Sequence, residues 1–168
     1  GVALARYLNS PVINCDSRQI YKELNIGVAR PSPEELAAVT HYFIGSHSIH
    51  QIYSAGDYER EAWDLVMKLA PAHEYLLMVG GSGLYIDAFC EGMDDLPDPD
   101  PQLREQLNNT LLEPGGIEQL RAQLKLLDSL AYARTDLSNS RRIIRALEVC
   151  LLTGRPYSSF LNNTPKKR

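Results

Sequence analysis

Two short apolar runs constrain the fold of this chain more than any other feature. Pro11-Val12-Ile13 stops abruptly at Asn14-Cys15-Asp16-Ser17, and Tyr75-Leu76-Leu77-Met78-Val79 stops at Gly80-Gly81-Ser82-Gly83. A continuous apolar run of strand length, bounded by turn residues, fits a strand buried in a parallel sheet. Apolar residues recur at helical spacing before each run: Val2, Leu4, Ala5 and Leu8 ahead of the first, Tyr58, Ala62, Leu65, Val66 and Leu69 ahead of the second. Helix alternating with strand predicts an α/β sheet, with Tyr75–Val79 as a central strand. Ligands of such sheets collect beyond the carboxyl ends of the strands. Asp16, delivered there by the first run, is therefore a candidate site residue. A second reading has Asp16 or Ser17 capping the following turn, and spacing leaves both open.

The remaining punctuation fills in the order of elements. Residues Lys22 to Pro33 read as an irregular loop, and Ser32-Pro33 as the start of a short helix over Glu34 to Val39. Tyr42-Phe43-Ile44 is another short strand candidate. Ser54 with Asp57 forms a capping box ahead of the longer helix. The glycine turn at Gly80–Gly83 permits close approach of a backbone or ligand and points amides at the sheet's carboxyl edge. After Glu91 the chain turns rich in Asp and Pro from Asp94 to Pro101. Helical spacing resumes in Leu103 and Leu107, then in Ile117, Leu120, Leu124 and Leu127, with Pro114-Gly115-Gly116 as the break. A last helix runs from about Asn139 to Leu152 and stops at Thr153-Gly154, with Pro156 just beyond.

With 168 residues the chain can bury one sizeable core and a small appended unit. No apolar run approaches the roughly 20 residues that a membrane span needs. The formal charge of −4 excludes a surface that is basic throughout, as a whole-surface nucleic-acid footprint requires. A local basic patch remains open in Arg134, Arg141, Arg142 and Arg145 and in Lys166-Lys167-Arg168, against the alternative of a solvated helix face and terminus. Cys15, Cys90 and Cys150 are scattered, without metal spacing, and read as reduced thiols of a cytoplasmic protein. His41, His47, His50 and His73 read as structural or surface residues.

Asp16-Ser17-Arg18-Gln19-Ile20-Tyr21 and Ile26-Gly27-Val28-Ala29-Arg30-Pro31 resemble the D-S-x-Q-x-Y and I-G-T-A-K-P blocks of the tRNA dimethylallyltransferases (tRNA isopentenyltransferases), of bacterial type. Tyr53-Ser54-Ala55, Gly80-Gly81-Ser82-Gly83-Leu84-Tyr85, Leu96-Pro97 to Arg104, Arg141 to Val149 and Thr153-Gly154-Arg155-Pro156 follow in the family's order. Each block is weak alone, but the ordered set is specific and spans nearly the whole chain. The resemblance implies an α/β, P-loop-kinase-like parallel sheet with flanking helices and a small helical insertion. The expected division is an α/β core at 1–92, a helical insertion gripping the anticodon stem at 93–138, and a return to the core at 139–168.

The same resemblance implies transfer of a dimethylallyl group from dimethylallyl diphosphate to N6 of the adenine 3′ of the anticodon. It makes Asp16 the catalytic carboxylate, and it puts tRNA contacts at Asp16, Ser17, Arg18, Gln19, Ser82, Arg104, Arg141, Arg142, Ile143, Ile144 and Arg145. Mg²⁺ is the implied cofactor, and a cytoplasmic monomer is expected. Several features depart from the pattern. The nucleotide-binding G-x-T-x-x-G-K-T loop is not in the sequence and is expected ahead of it or as a remnant at Gly1-Val2. Val28 and Arg30 replace Thr and Lys, and Ser82 replaces Thr. Rival readings are an adenylate isopentenyltransferase acting on free nucleotide, a P-loop small-molecule kinase, and a non-catalytic tRNA-binding module. Glu148, three residues after Arg145, offers that arginine an ion pair within the helix instead of an RNA contact.

Overall fold

The computed structural model describes residues 1–161; the basic segment Lys166-Lys167-Arg168 lies outside them. The chain divides into a unit Gly1–Met93 and a second unit that begins at Asp94.

In the first unit, helix α1 (Val2–Tyr7) leads into strand β1 (Val12–Asn14), and helix α2 (Pro33–Ala38) into strand β2 (His41–Tyr42). Helix α3 (Ala55–Leu69), strand β3 (Leu77–Val79) and helix α4 (Gly83–Glu91) follow. The capping box expected at Ser54 and Asp57 starts α3, and Ser32, expected to start α2, forms a second one with Glu35. The three strands are parallel in the order β2-β1-β3. Val12 pairs with both His41 and Leu77, and Asn14 with Val79. The central strand among the described residues is thus β1, buried at all three positions. Among the described residues β3 pairs with β1, its residues are half-buried, and Tyr75 lies outside it, 51% exposed.

The core of this unit forms where α3 and α4 pack together. Tyr58 and Ala62 from α3 and Tyr85 and Ala88 from α4 are buried with Cys15 and Ile20. The Tyr58 and Tyr85 rings stack with centroids 4.3 Å apart, and Phe43 tilts against Tyr58 at 5.3 Å. Burial of rings this large contributes more than any other residue type to such a core.

The second unit is helical: α5 (Pro101–Leu112), α6 (Gly116–Leu127), α7 (Ser129–Arg134) and α8 (Ser140–Thr153). Its core joins Leu107, Leu120, Leu124 and Ala131 to Ile143, Ile144, Ala146 and Leu147. Helix α8 packs its apolar stripe here, where Leu120 and Leu124 offer a matching one. Helix α7 gave no periodic signal, being only six residues long. Asp128 starts it by accepting from Ala131 N, and also accepts from the amide and hydroxyl of Ser158, docking the turn after α8. Gly116 lets α6 begin against α5: a Cβ there would fall 1.8 Å from the Thr110 carbonyl oxygen. Asn139 caps α8 through its side chain, and Gly154 ends it in the left-handed conformation, as the sequence predicts.

Candidate functional site

Asp16 lies two residues past the end of β1, at its carboxyl end. Its Oδ1 accepts from the amides of Arg18 (2.8 Å) and Gln19 (3.2 Å). One carboxylate oxygen thus shapes the turn, as the capping alternative predicts, and among the described residues Oδ2 takes part in neither bond. The backbone under it is braced by the buried Asn14. That side chain donates to the carbonyls of Phe43 (2.9 Å) and Asp16 (3.2 Å) and accepts from Asp16 N. The Tyr58 hydroxyl donates to the Asn14 carbonyl at 3.0 Å. Burial raises the pKa of Tyr58 and pushes that of Tyr85 up to about 12, so both stay neutral. Cys15 is buried beside Asp16, and burial first, then that neighbouring carboxylate, push its thiol up. It is a packing residue and not a nucleophile.

The glycine turn after β3 supports the same segment. Gly80 packs directly on the Cys15–Asp16 peptide: an added Cβ would lie 2.4 Å from Cys15 C and 2.6 Å from Asp16 N. The close approach foreseen for this turn is therefore by protein backbone. Ser82 stands at the cap position of α4 but makes no capping bond with its side chain. Its Oγ accepts from Ser17 N at 2.8 Å and donates to Ser17 Oγ at 2.9 Å, while its amide donates to the Cys15 carbonyl. Ser17 and Ser82 thus form a latch between the carboxyl ends of β1 and β3.

Gln19 is turned to another task. Its Nε2 donates to the Ala29 carbonyl at 2.8 Å, and Arg30 returns bonds to the carbonyls of Gln19 and Tyr21 and to Asn25 Oδ1. This reciprocal lacing holds the loop of residues 22–31 against the Asp16 turn. Arg30, noted in the sequence only as a replacement for Lys, is the residue that sequence reasoning undervalued. Its position in a motif block was the available signal. A cleft of about 200 Å³ opens here, lined among others by Asn14, Gln19, Arg30, Val79 and Gly80. Arg18 is exposed and free to reach outward.

In the second unit, Arg104, Asn108, Arg141, Ile144 and Arg145 line a cleft of about 330 Å³. Arg145 does pair with Glu148, through Nη1 at 2.7 Å, and Arg104 shares the same carboxylate oxygen at 2.6 Å. Arg145 Nη2 also donates to the Pro97 carbonyl. Arg141 and Arg142 are exposed. Ile143 is wholly buried and Ile144 5% exposed. The two side chains belong to the core of the helical unit, and Ile144 also borders the cleft. Among the described residues no group of three or more His, Cys, Asp or Glu side chains could hold a metal ion.

A family model described as IPP transferase matches residues 19–168. Over 165 residues the chain is 47% identical to a tRNA dimethylallyltransferase of Porphyromonas gingivalis, covering 98% of this chain and 55% of that protein. It is 47% identical over 167 residues to the tRNA dimethylallyltransferase of Christiangramia forsetii, covering 99% and 55%. The solved structure of a full-length tRNA isopentenylpyrophosphate transferase from Bacillus halodurans matches with a TM-score of 0.53 at 34% identity, over 93% of this chain and 52% of that one. A eukaryotic dimethylallyltransferase acting on tRNA matches with a TM-score of 0.74 over 97% of this chain and 40% of that one; at 22% identity this likeness speaks to the fold alone. The chain spans about half the length of the curated relatives it matches.

Proposed function

Because the chain belongs to the IPP transferase family, we propose that it carries the nucleobase side of a tRNA dimethylallyltransferase. The reaction moves the dimethylallyl group of dimethylallyl diphosphate to N6 of the adenine 3′ of the anticodon. The N6 lone pair forms a bond to the allylic carbon, the carbon–oxygen bond breaks, and diphosphate leaves with its electron pair. The amine must lose a proton as the bond forms, and a carboxylate within hydrogen-bond reach both orients it and takes that proton. Asp16 is assigned this role. The observation that carries it is the division of its carboxylate: Oδ1 is fixed by two amides, which leaves Oδ2 to face a base beyond the carboxyl end of β1.

An adenine in a stacked anticodon loop reaches such a carboxylate only when flipped out. Exposed Arg18 is suited to RNA contact, whereas Ser17, Gln19 and Ser82 support this reading as the frame that holds Asp16. Arg104, Arg141, Arg142 and Arg145 are assigned to phosphates of the anticodon stem, which position without reading sequence. Mg²⁺ would neutralise the leaving diphosphate. An ion of this kind takes one or two carboxylates plus phosphate oxygens and water, and the described residues offer no cluster to which it can be assigned. No helix among them is long and apolar enough to cross a membrane, and a cytoplasmic monomer is part of the same reading.

The test is incubation of the full-length protein with labelled dimethylallyl diphosphate and either unmodified tRNA or AMP. Label in tRNA alone supports the proposal. Label in AMP alone would replace it with the adenylate transferase. Label in neither, with Mg²⁺ present, favours a kinase or a binding module.

A further inference from the structure

Glu148 is wholly buried, yet it bears an ionisable group in the core of a helical unit. Its Oε2 accepts from both Arg104 and Arg145, while Oε1 is buried without a partner among the described residues. A buried carboxylate with one idle oxygen is a poor stabilising device, because desolvation is only partly offset, and an unsatisfied buried acceptor calls for an explanation. The arrangement does accomplish one thing that an apolar side chain could not. Two guanidinium groups from different helices converge on a single oxygen at 2.6 and 2.7 Å, held side by side against their mutual repulsion.

Both arginines line the 330 Å³ cleft with Asn108 and Arg141, and their side chains keep 40% and 26% exposure. Arg145 is spanned between Glu148 and the Pro97 carbonyl, which fixes the plane of its fork. Two arginines on one carboxylate, with Arg141 beside them in the cleft lining, leave a surplus of two positive charges there. A guanidinium recognises phosphate through directed, planar N–H pairs, so its orientation matters as much as its charge.

We propose that Glu148 is the positioning residue of this cleft: it holds Arg104 and Arg145 in a preformed pair whose outward N–H groups, with Arg141, bind adjacent RNA backbone phosphates. The inference rests on the tRNA reading above and deepens it. Glu148 touches no substrate and acts only through the two arginines.

The sign of one substitution separates this role from plain electrostatics. Glu148→Gln keeps the shape and one acceptor oxygen but raises the protein's charge by one unit. Charge alone predicts tighter tRNA binding and a steeper salt dependence. Positioning predicts the reverse: in the full-length enzyme KM for tRNA rises by about tenfold, the effect of breaking one charge-assisted hydrogen bond to phosphate, while kcat and KM for dimethylallyl diphosphate hold. In an Arg104→Ala, Arg145→Ala background the same change has no further effect on tRNA affinity. Unchanged or tighter tRNA binding by a folded Glu148→Gln protein overturns the proposal, as does an effect confined to dimethylallyl diphosphate. Arg104→Lys is the second variant, should Glu148→Gln not fold: it retains charge and loses the fork, so wild-type tRNA affinity there also refutes the role. If wild-type protein shows no salt-dependent tRNA binding at all, the tRNA reading itself fails, which is a distinct result.

Discussion

Replacing Gly80 by Ala tests whether the Asp16 turn depends on the backbone packed beneath it. The backbone angles at Gly80 suit any residue, so the obstacle is steric. The new Cβ would meet Cys15 C at 2.4 Å, Asp16 N at 2.6 Å and the Cys15 carbonyl oxygen at 2.7 Å, about 1 Å inside ordinary contact. All three atoms are backbone and cannot rotate away. Relief requires β3 and the strand end at Cys15 to move apart, and the bonds from Cys15 N to the Val79 carbonyl and from Ser82 N to the Cys15 carbonyl oppose that. Overpacking of this kind costs about 1–3 kcal/mol, which a denaturant titration of the full-length protein reads as a lower midpoint with unchanged slope. The catalytic effect should be larger, since a displacement of about 1 Å in a reacting group can cost about 10²-fold. Steady-state assays with tRNA and dimethylallyl diphosphate should show the loss in kcat. A Gly80→Ala enzyme with wild-type kcat would refute the claim that this packing places Asp16.

Three further outcomes are expected. Asp16→Asn keeps an oxygen for the amides of Arg18 and Gln19, so the protein should fold and bind tRNA while kcat falls about 10²–10⁴-fold; near-normal turnover removes Asp16 as the base. Arg141→Ala should leave stability within about 0.5 kcal/mol, since the residue is exposed, and should reduce the salt slope of tRNA binding by about one; an unchanged slope takes it out of the interface. Burial pushes Asp128 up, but the amides of Ala131 and Ser158 and the Ser158 hydroxyl outweigh it and hold the carboxyl below its usual value. A depressed folded pKa gives stability that is present above the unfolded pKa and lost as pH falls below about 4. Asp128→Asn should flatten the dependence of unfolding free energy on pH in that acid window, and an identical acid limb would exclude the linkage.

What the sequence made legible follows from how local each signal is. The capping boxes at Ser32 and Ser54 and the stop at Gly154 are written in three or four adjacent residues, and the structure realises them. The pairing of strands depends on which neighbours they find, so among the described residues β1 lies between β2 and β3 although its apolar run is the shorter. Helix α8 likewise chose its partner by a match with α5 and α6 that no local pattern reveals. At the candidate site, motif order singled out residues whose hydrogen bonds it could not foresee. Ser82 caps nothing with its hydroxyl and instead latches Ser17 across 65 positions of sequence. Gln19 is engaged with Ala29, and Glu148 serves Arg104 from 44 positions away as well as Arg145 from three. Side-chain bonds across such separations are decided by the fold.

Asp16 accepts two amides of the turn that follows it, as the capping reading predicts, and that geometry is compatible with the proposed role as general base. A general base must present one oxygen in a fixed direction. A carboxylate free to rotate would lose that direction, and one with both oxygens bonded to amides would have no lone pair directed at a substrate. Fixing Oδ1 with two amides satisfies the first need without exhausting the second oxygen. The same bonds decide which oxygen takes the proton. Oδ1 already faces two N–H donors, so in the proposed reaction the proton released as the carbon–nitrogen bond forms would go to Oδ2. The capping bonds are therefore compatible with the catalytic role proposed for Asp16.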